Sequence, residues 1–292
     1  MRRTLPLAAL PTLWVASSLL ACKGAPPSAN PEFSDALAYT FRSFEGEPAD
    51  LAFALRALET QVYGSLDVEA NSTKDRALSP ADLSWEDVAD VPGPDRDPAL
   101  CIGVAVAAAS AHDVDAHASL QLLVDQTPVE PYSPELYDRT FLEGQDCWLD
   151  GECEFLRTEN LLQKKNFLMD ITYTLYKDLR WVDLGLPDPA DVPEGEEAVN
   201  EGDPRWAIAA RAWTTEAAVG EDGTNTIHQS YTVEMWIPRE QDGGTLRMLS
   251  LWSETELGGL DISEETIAGT TETGIDRNFE AAEDYLDEQA GG

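Results

Sequence analysis

Histidine and cysteine are scarce in this chain, and positive charge is scarce beside negative. Three histidines and four cysteines stand among 292 residues. So few histidines leave little material for a His-centred metal site or general base. Lys and Arg together number 19 against 55 Asp and Glu, a formal net charge of −36. A surplus of that size repels phosphates and excludes nucleic acid as a partner. It also excludes a charge-driven grip on anionic lipid. G-x-S-x-G, a glycine-rich phosphate loop and H-E-x-x-H are all missing, so no cofactor and no motif-borne nucleophile is implied. No segment repeats at a fixed period.

One apolar run stands apart. Residues 5–20 follow the basic Arg2-Arg3 and are broken by Pro6 and Pro11. The run is shorter than the ~20 residues a membrane span needs, and it suits the apolar region of a signal peptide. It ends in Leu19-Leu20-Ala21-Cys22: an aliphatic residue, a variable one, a small one, then cysteine. Here the chain resembles bacterial lipoproteins, whose lipobox has this order. The resemblance implies a diacylglycerol on the Cys22 thiol, cleavage before Cys22 and acylation of the new amine. Two or more acyl chains, at ~0.8 kcal/mol per buried CH₂, hold a protein stably at a membrane.

Residues 1–21 are then a signal peptide, 22–32 a lipidated, proline-bearing tether, and 33–292 a single domain. Losing Arg2 and Arg3 takes the net charge from −36 to −38. The implied partner is a membrane, reached through Cys22, and the implied location is the cell envelope. Lys23 stands where an Asp tends to retain lipoproteins at the inner membrane, so the expectation is the outer membrane, on its periplasmic or cell-surface face. That compartment permits disulfides. In DCWLDGEC, Cys147 and Cys153 flank an Asp150-Gly151 turn and are expected to pair, leaving Cys101 buried and free.

Periodicity supplies the elements. Phe33, Leu37, Phe41 and Phe44 recur at helical spacing, with Ser34 as the expected N-cap. Pro48 opens a second helix with Leu51, Leu55, Leu58 and Val62 on one face and Gly64 at its end. LSPADL (78–83) and YSPELY (132–137) set Ser before Pro and read as short helices. Residues 66–71 and 118–125 read as strands, 84–98 as a loop, and 101–110 as a strand or a buried helix.

Alternation predicts four long late strands: one running on from Phe167, then 205–216, 226–237 and 245–257, with glycine-bearing turns at 220–225 and 240–244. In the third, Ile227, Tyr231, Val233, Met235 and Ile237 are expected to face one way. Between the first two lies a proline-rich acidic loop, 183–204. A last helix is expected over 263–288, capped by Asp261 with Glu264, with Ile267, Thr271, Ile275, Phe279, Ala282 and Leu286 along one side.

The fold class is therefore α+β: an antiparallel sheet with two N-terminal helices and a C-terminal helix packed on it. This order, carried by SYTVEMWIPREQDGGTLRMLSLWSETELGGLDIS and the helix behind it, resembles the helix-grip arrangement of START-like lipid-binding domains. A calycin-like barrel with a trailing helix would give much the same pattern. The resemblance implies a non-enzymatic envelope lipoprotein that binds an apolar small molecule, or an envelope protein. Two alternatives come from other classes: a secreted-side hydrolase with a site assembled from distant residues, and an acidic, calcium-associated surface scaffold.

Candidate side chains are few. On a strand, Asp113, Asp115 and His117 would share one face and could hold a divalent metal. Acidic groups at Asp146, Asp150 and Glu152, or at Asp90, Asp95 and Asp97, do not match the twelve-residue calcium loop. Trp181, Trp206, Trp236 and Trp252 occur in the late strands and are candidates to line an apolar pocket.

Overall fold

The computed structural model describes residues 31–65, 78–165, 169–193, 195–221, 223–258 and 262–291. The expected signal peptide, Cys22, the expected strand at 66–71 and Asp261 lie outside them. Among the described residues four α-helices, α1 (Phe33–Arg42), α2 (Pro48–Ser65), α3 (Val114–Leu120) and α4 (Glu264–Gly291), accompany eight strands. The strands are β1 (Ile102–Ser110), β2 (Tyr137–Glu143), β3 (Phe155–Lys165), β4 (Asp170–Asp183), β5 (Trp206–Trp213), β6 (Ala218–Val219), β7 (Asn225–Pro238) and β8 (Thr245–Leu257).

All pairings are antiparallel, in the order β1-β8-β7-β5-β4-β3-β2, with the short β6 beside β7. β1 and β2 do not pair with each other, so the sheet is open and the barrel alternative is overturned. Gly243, at φ 76°, lets the chain turn tightly between β7 and β8.

Helices cover both faces of the sheet. On the back face, Leu37 and Phe41 of α1 and Leu51, Leu55 and Leu58 of α2 pack against Ala209, Val233, Met235 and Met248. Each buried leucine there contributes roughly 1.5–3 kcal/mol. Cations also fasten this face. Arg180 Nη1 donates to the carbonyls of Phe44 and Gly46, the turn between α1 and α2. The back-facing loop is tied by Trp252 Nε1, which donates to Ala81 O at 2.9 Å, and by the Arg96–Glu254 ion pair. The opposite, concave face carries α3 and α4.

Several expectations need correction. Residues 78–83 and 132–137 are not helical; Leu78 forms an isolated bridge to Ala105 and Tyr137 opens β2. The expected strand at 118–125 is instead the end of α3 and a turn. Upstream of it Asp113 accepts the Ala116 N–H at 2.8 Å, and that N-cap starts a helix that runs on into the segment read as strand. α1 starts without a side-chain cap; Glu32, not Ser34, is its boundary residue. In β7 the register shifts between Ile227 and Gln229. The bulge turns Ile227 onto the concave face, away from Tyr231, Val233, Met235 and Ile237.

Candidate functional site

Between the concave face and α4 lies a cavity of about 740 Å³, within the ~300–1,000 Å³ range of small-molecule sites. Alternate residues of six strands reach it. Ile102 and Val104 come from edge strand β1, and Tyr137 from the other edge, β2. That both edges face one cavity means the sheet curves around it. Leu162 and Lys164 of β3, and Tyr173, Leu175 and Lys177 of β4, form one wall. Leu249, Leu251, Ser253, Thr255 and Leu257 of β8 form another, every second residue as the pleat requires.

Helix α4 closes the cavity, and its two halves differ. Ile275, Phe279, Ala282 and Leu286 are buried and anchor the second half. The first half presents Thr266, Ile267, Thr270, Thr271 and Gly274 to the cavity. Thr270 and Thr271 hydroxyls donate to the carbonyls four residues back, so they present their methyl groups without an unmet donor.

Charges gather at the inner end. Lys177 Nζ contacts Glu234 Oε1 at 2.6 Å, and Lys164 Nζ contacts Glu130 Oε2 at 2.9 Å. Burial lowers the Lys177 pKa while Glu234 opposes the shift. Burial also raises the Tyr137 and Tyr173 pKa values, so these hydroxyls stay neutral at the cavity wall. A side pocket of about 40 Å³ continues past Lys177 and Glu234 to Arg139, Trp236 and Arg247.

The tryptophan candidates sit elsewhere for the most part. Trp181 packs on Trp148 with ring centroids 5.3 Å apart, in a solid cluster beneath α3. Trp252 belongs to the back-face core, and Trp206 is exposed at the start of β5. Trp236 alone of the four reaches the site, at the side pocket. Aliphatic and threonine side chains form most of the main cavity instead.

The candidate metal residues do not converge. Asp113 caps α3, Asp115 is exposed and His117 is fully buried, because a helix separates the faces that a strand would have merged. Among the described residues no group of three His, Cys, Asp or Glu is placed to hold a metal. His117 Nε2 meets Ser110 Oγ at 2.8 Å, but Nδ1 has no partner and Glu283 Oε1 approaches the same Nε2, at 3.9 Å. A serine–histidine–acid relay needs the acid on the other nitrogen. Burial pushes the His117 pKa down to about 2, so the ring is neutral.

The Cys147–Cys153 disulfide is present, with Cα atoms 5.4 Å apart. It staples the loop that carries Trp148, whose Nε1 donates to Ala118 O of α3. Cys101 is free and buried, and burial raises its thiol to about 12. Among the described residues no helix is long and apolar enough to cross a membrane.

No protein-family model matches the chain, and no curated protein does. Solved structures do match. A protein of Thermus thermophilus is 11% identical, with a TM-score of 0.39, over 64% of this chain and 98% of that one. A START superfamily protein from Mycobacterium smegmatis is 12% identical, with a TM-score of 0.39, over 64% and 98%. A STAR-related lipid transfer protein from Xanthomonas axonopodis is 12% identical, with a TM-score of 0.35, over 63% and 85%. The helix-grip description stands on this chain's own strand pairing and on the helix laid across the concave face.

Proposed function

We propose that this chain is a cell-envelope lipoprotein, anchored through Cys22, whose domain binds an apolar small molecule under α4. The observation that carries the binding reading is the cavity itself: about 740 Å³, walled by Leu, Ile and Val and roofed by the threonine-rich half of α4. A void that large on one side of a sheet forfeits packing, which a bound apolar molecule restores. The reading is of a binder, with the chain's acidic surface keeping it soluble and monodisperse at the membrane.

The binding half is tested by extracting full-length protein in mild detergent and recording native mass spectra. A bound small molecule is expected, and Leu251→Trp, which crowds the cavity wall, should weaken its binding. Spectra free of any adduct, with no uptake of added lipid, would remove the reading. The anchor half is tested separately. Mass analysis of the mature N-terminus should give a triacylated Cys22, and Cys22→Ser should leave the leader uncleaved. An unmodified N-terminal peptide would sink the envelope assignment and leave the binding reading standing. The outer-membrane location rests on Lys23 and is checked by density fractionation of membranes.

A further inference from the structure

The charge of the cavity has the opposite sign to the charge of the protein. The whole chain carries 55 acids and 19 Lys and Arg. The walls of the cavity and its side pocket carry five cations, Arg139, Lys164, Lys177, Arg247 and Arg277, against two carboxylates, Glu130 and Glu234. The two carboxylates are already taken. Glu130 pairs with Lys164, and Glu234 pairs with Lys177. Arg277 sits at the exposed rim, donating to the Tyr132 hydroxyl. Arg139 bonds only neutral oxygens, Asn160 Oδ1 and Gln121 O.

Arg247 is the least satisfied. It is 8% exposed, and neither Nε nor Nη1 has a hydrogen-bond partner among the described residues. Its guanidinium lies 4.5 Å from the centre of the Phe279 ring, which supplies attraction without accepting a hydrogen bond. Burial lowers its pKa to about 10, opposed by Glu283, Glu234 and Glu130; the group remains charged at neutral pH. Along β8, Arg247 continues the concave-face series of Leu251 and Leu249, and its head lines the side pocket, which shares Lys177, Glu234 and Leu249 with the apolar chamber. Unmet donors on a buried cation are costly, and an oxyanion seated there relieves the cost.

We propose that the bound molecule is an amphiphile with one carboxylate, whose head seats on Arg247 in the side pocket and whose apolar body fills the chamber under α4. The side pocket, about 40 Å³, limits the head to a few atoms, which favours a carboxylate over a phosphodiester. This rests on the binding reading above and adds the polarity and the orientation of the ligand.

The test compares oleate with oleyl alcohol and methyl oleate, by displacement of an environment-sensitive fluorescent lipid from the full-length protein. Oleate is expected to bind about 10- to 100-fold more tightly than either neutral analogue, the range for a charge-assisted hydrogen bond. Arg247→Gln should erase that preference, bringing oleate down to the affinity of its neutral analogues in the same variant, and Arg247→Lys should retain part of it. Equal binding of all three to wild type overturns the carboxylate proposal and spares the pocket. Failure of all three to bind overturns the pocket reading itself. A preference that persists in Arg247→Gln assigns the head elsewhere and overturns the orientation. Should Arg247→Gln not fold, the wild-type comparison and Arg247→Lys still decide.

Discussion

Replacing Arg211 by alanine should cost the fold about 3–5 kcal/mol at pH 8, and less at pH 5. Arg211 is 2% exposed, on the back face of β5. Its Nη1 meets Asp90 at 2.6 Å and also bonds Phe41 O, and its Nη2 meets Glu45 at 3.1 Å and Asp178 at 3.6 Å. Asp90 and Glu45 are partly exposed and will be resolvated by water, so little of the loss comes from them. Asp178 is different. It is buried, and without Arg211 only Arg157, at 4.0 Å, remains near it. Removing one partner of a buried ion pair leaves an uncompensated charge and costs about 3–5 kcal/mol.

The pH dependence follows from the same geometry. Desolvation already raises the Asp178 pKa against the opposing pull of Arg211 and Arg157, and deleting Arg211 raises it further. A carboxyl whose folded pKa exceeds its unfolded value favours the fold when protonated, and that contribution is lost as pH rises through the folded pKa. The variant should therefore recover at low pH by ~1.4 kcal/mol for each unit of added shift. Urea titrations of both proteins at pH 5 and pH 8 measure the difference, and groups common to both cancel. A loss below about 1 kcal/mol, or an equal loss at both pH values, would refute the claim that Asp178 depends on Arg211.

His117 gives a pH effect of the opposite sign. Its folded pKa is about 2 and its unfolded value ~6.5, so its contribution is full above ~6.5 and lost on acidification, by up to ~1.4 kcal/mol per unit. His117→Gln, which can still bond Ser110, should flatten the fall in urea midpoint between pH 7 and pH 5; an unchanged slope would count against it. Replacing Cys147 and Cys153 by serine should cost about 2 kcal/mol, the entropy of a short closed loop. It should also increase the solvent exposure of Trp148, seen as a red-shifted emission, whereas an unshifted melting temperature would show that the bridge adds nothing.

The strands legible in the sequence are those with a clean division between faces. Thr245–Leu257 is bounded by glycine on both sides, and β8 has those limits. β2 and β3 were not legible. Their concave positions include Arg139, Asn160 and Lys164. Polar groups turned inward, toward a cavity, destroy the alternation by which a strand is recognised. The same effect hid the site. Tryptophan drew attention because large aromatics often line pockets, yet here Trp148, Trp181 and Trp252 fill solid clusters. The usable signal was quieter: Leu249, Leu251, Ser253, Thr255 and Leu257 on one face of β8, opposite a helix start rich in Thr and Gly. The bulge that reverses Ile227 left no mark in the pattern, since Thr226, His228, Gln229 and Ser230 around it are all polar and no alternation is there to be broken.

The two faces of the sheet differ: one carries the continuous core and the other the cavity. The back-face cluster gathers α1, α2, parts of six strands and the adjoining loops into one continuous core. The concave face has only smaller clusters, one beneath α3 and two along the second half of α4. A sheet covered on one side only would have to pack its remaining face tightly to be stable, and a cavity of this size would weaken it. The N-terminal helix pair removes that demand. Stability comes from the back, and the front can stay hollow, with α4 anchored by Ile275 and Phe279 and its first half free of deep packing. The helices that fit least well with a bare helix-grip pattern are therefore the part that lets the concave face stay hollow.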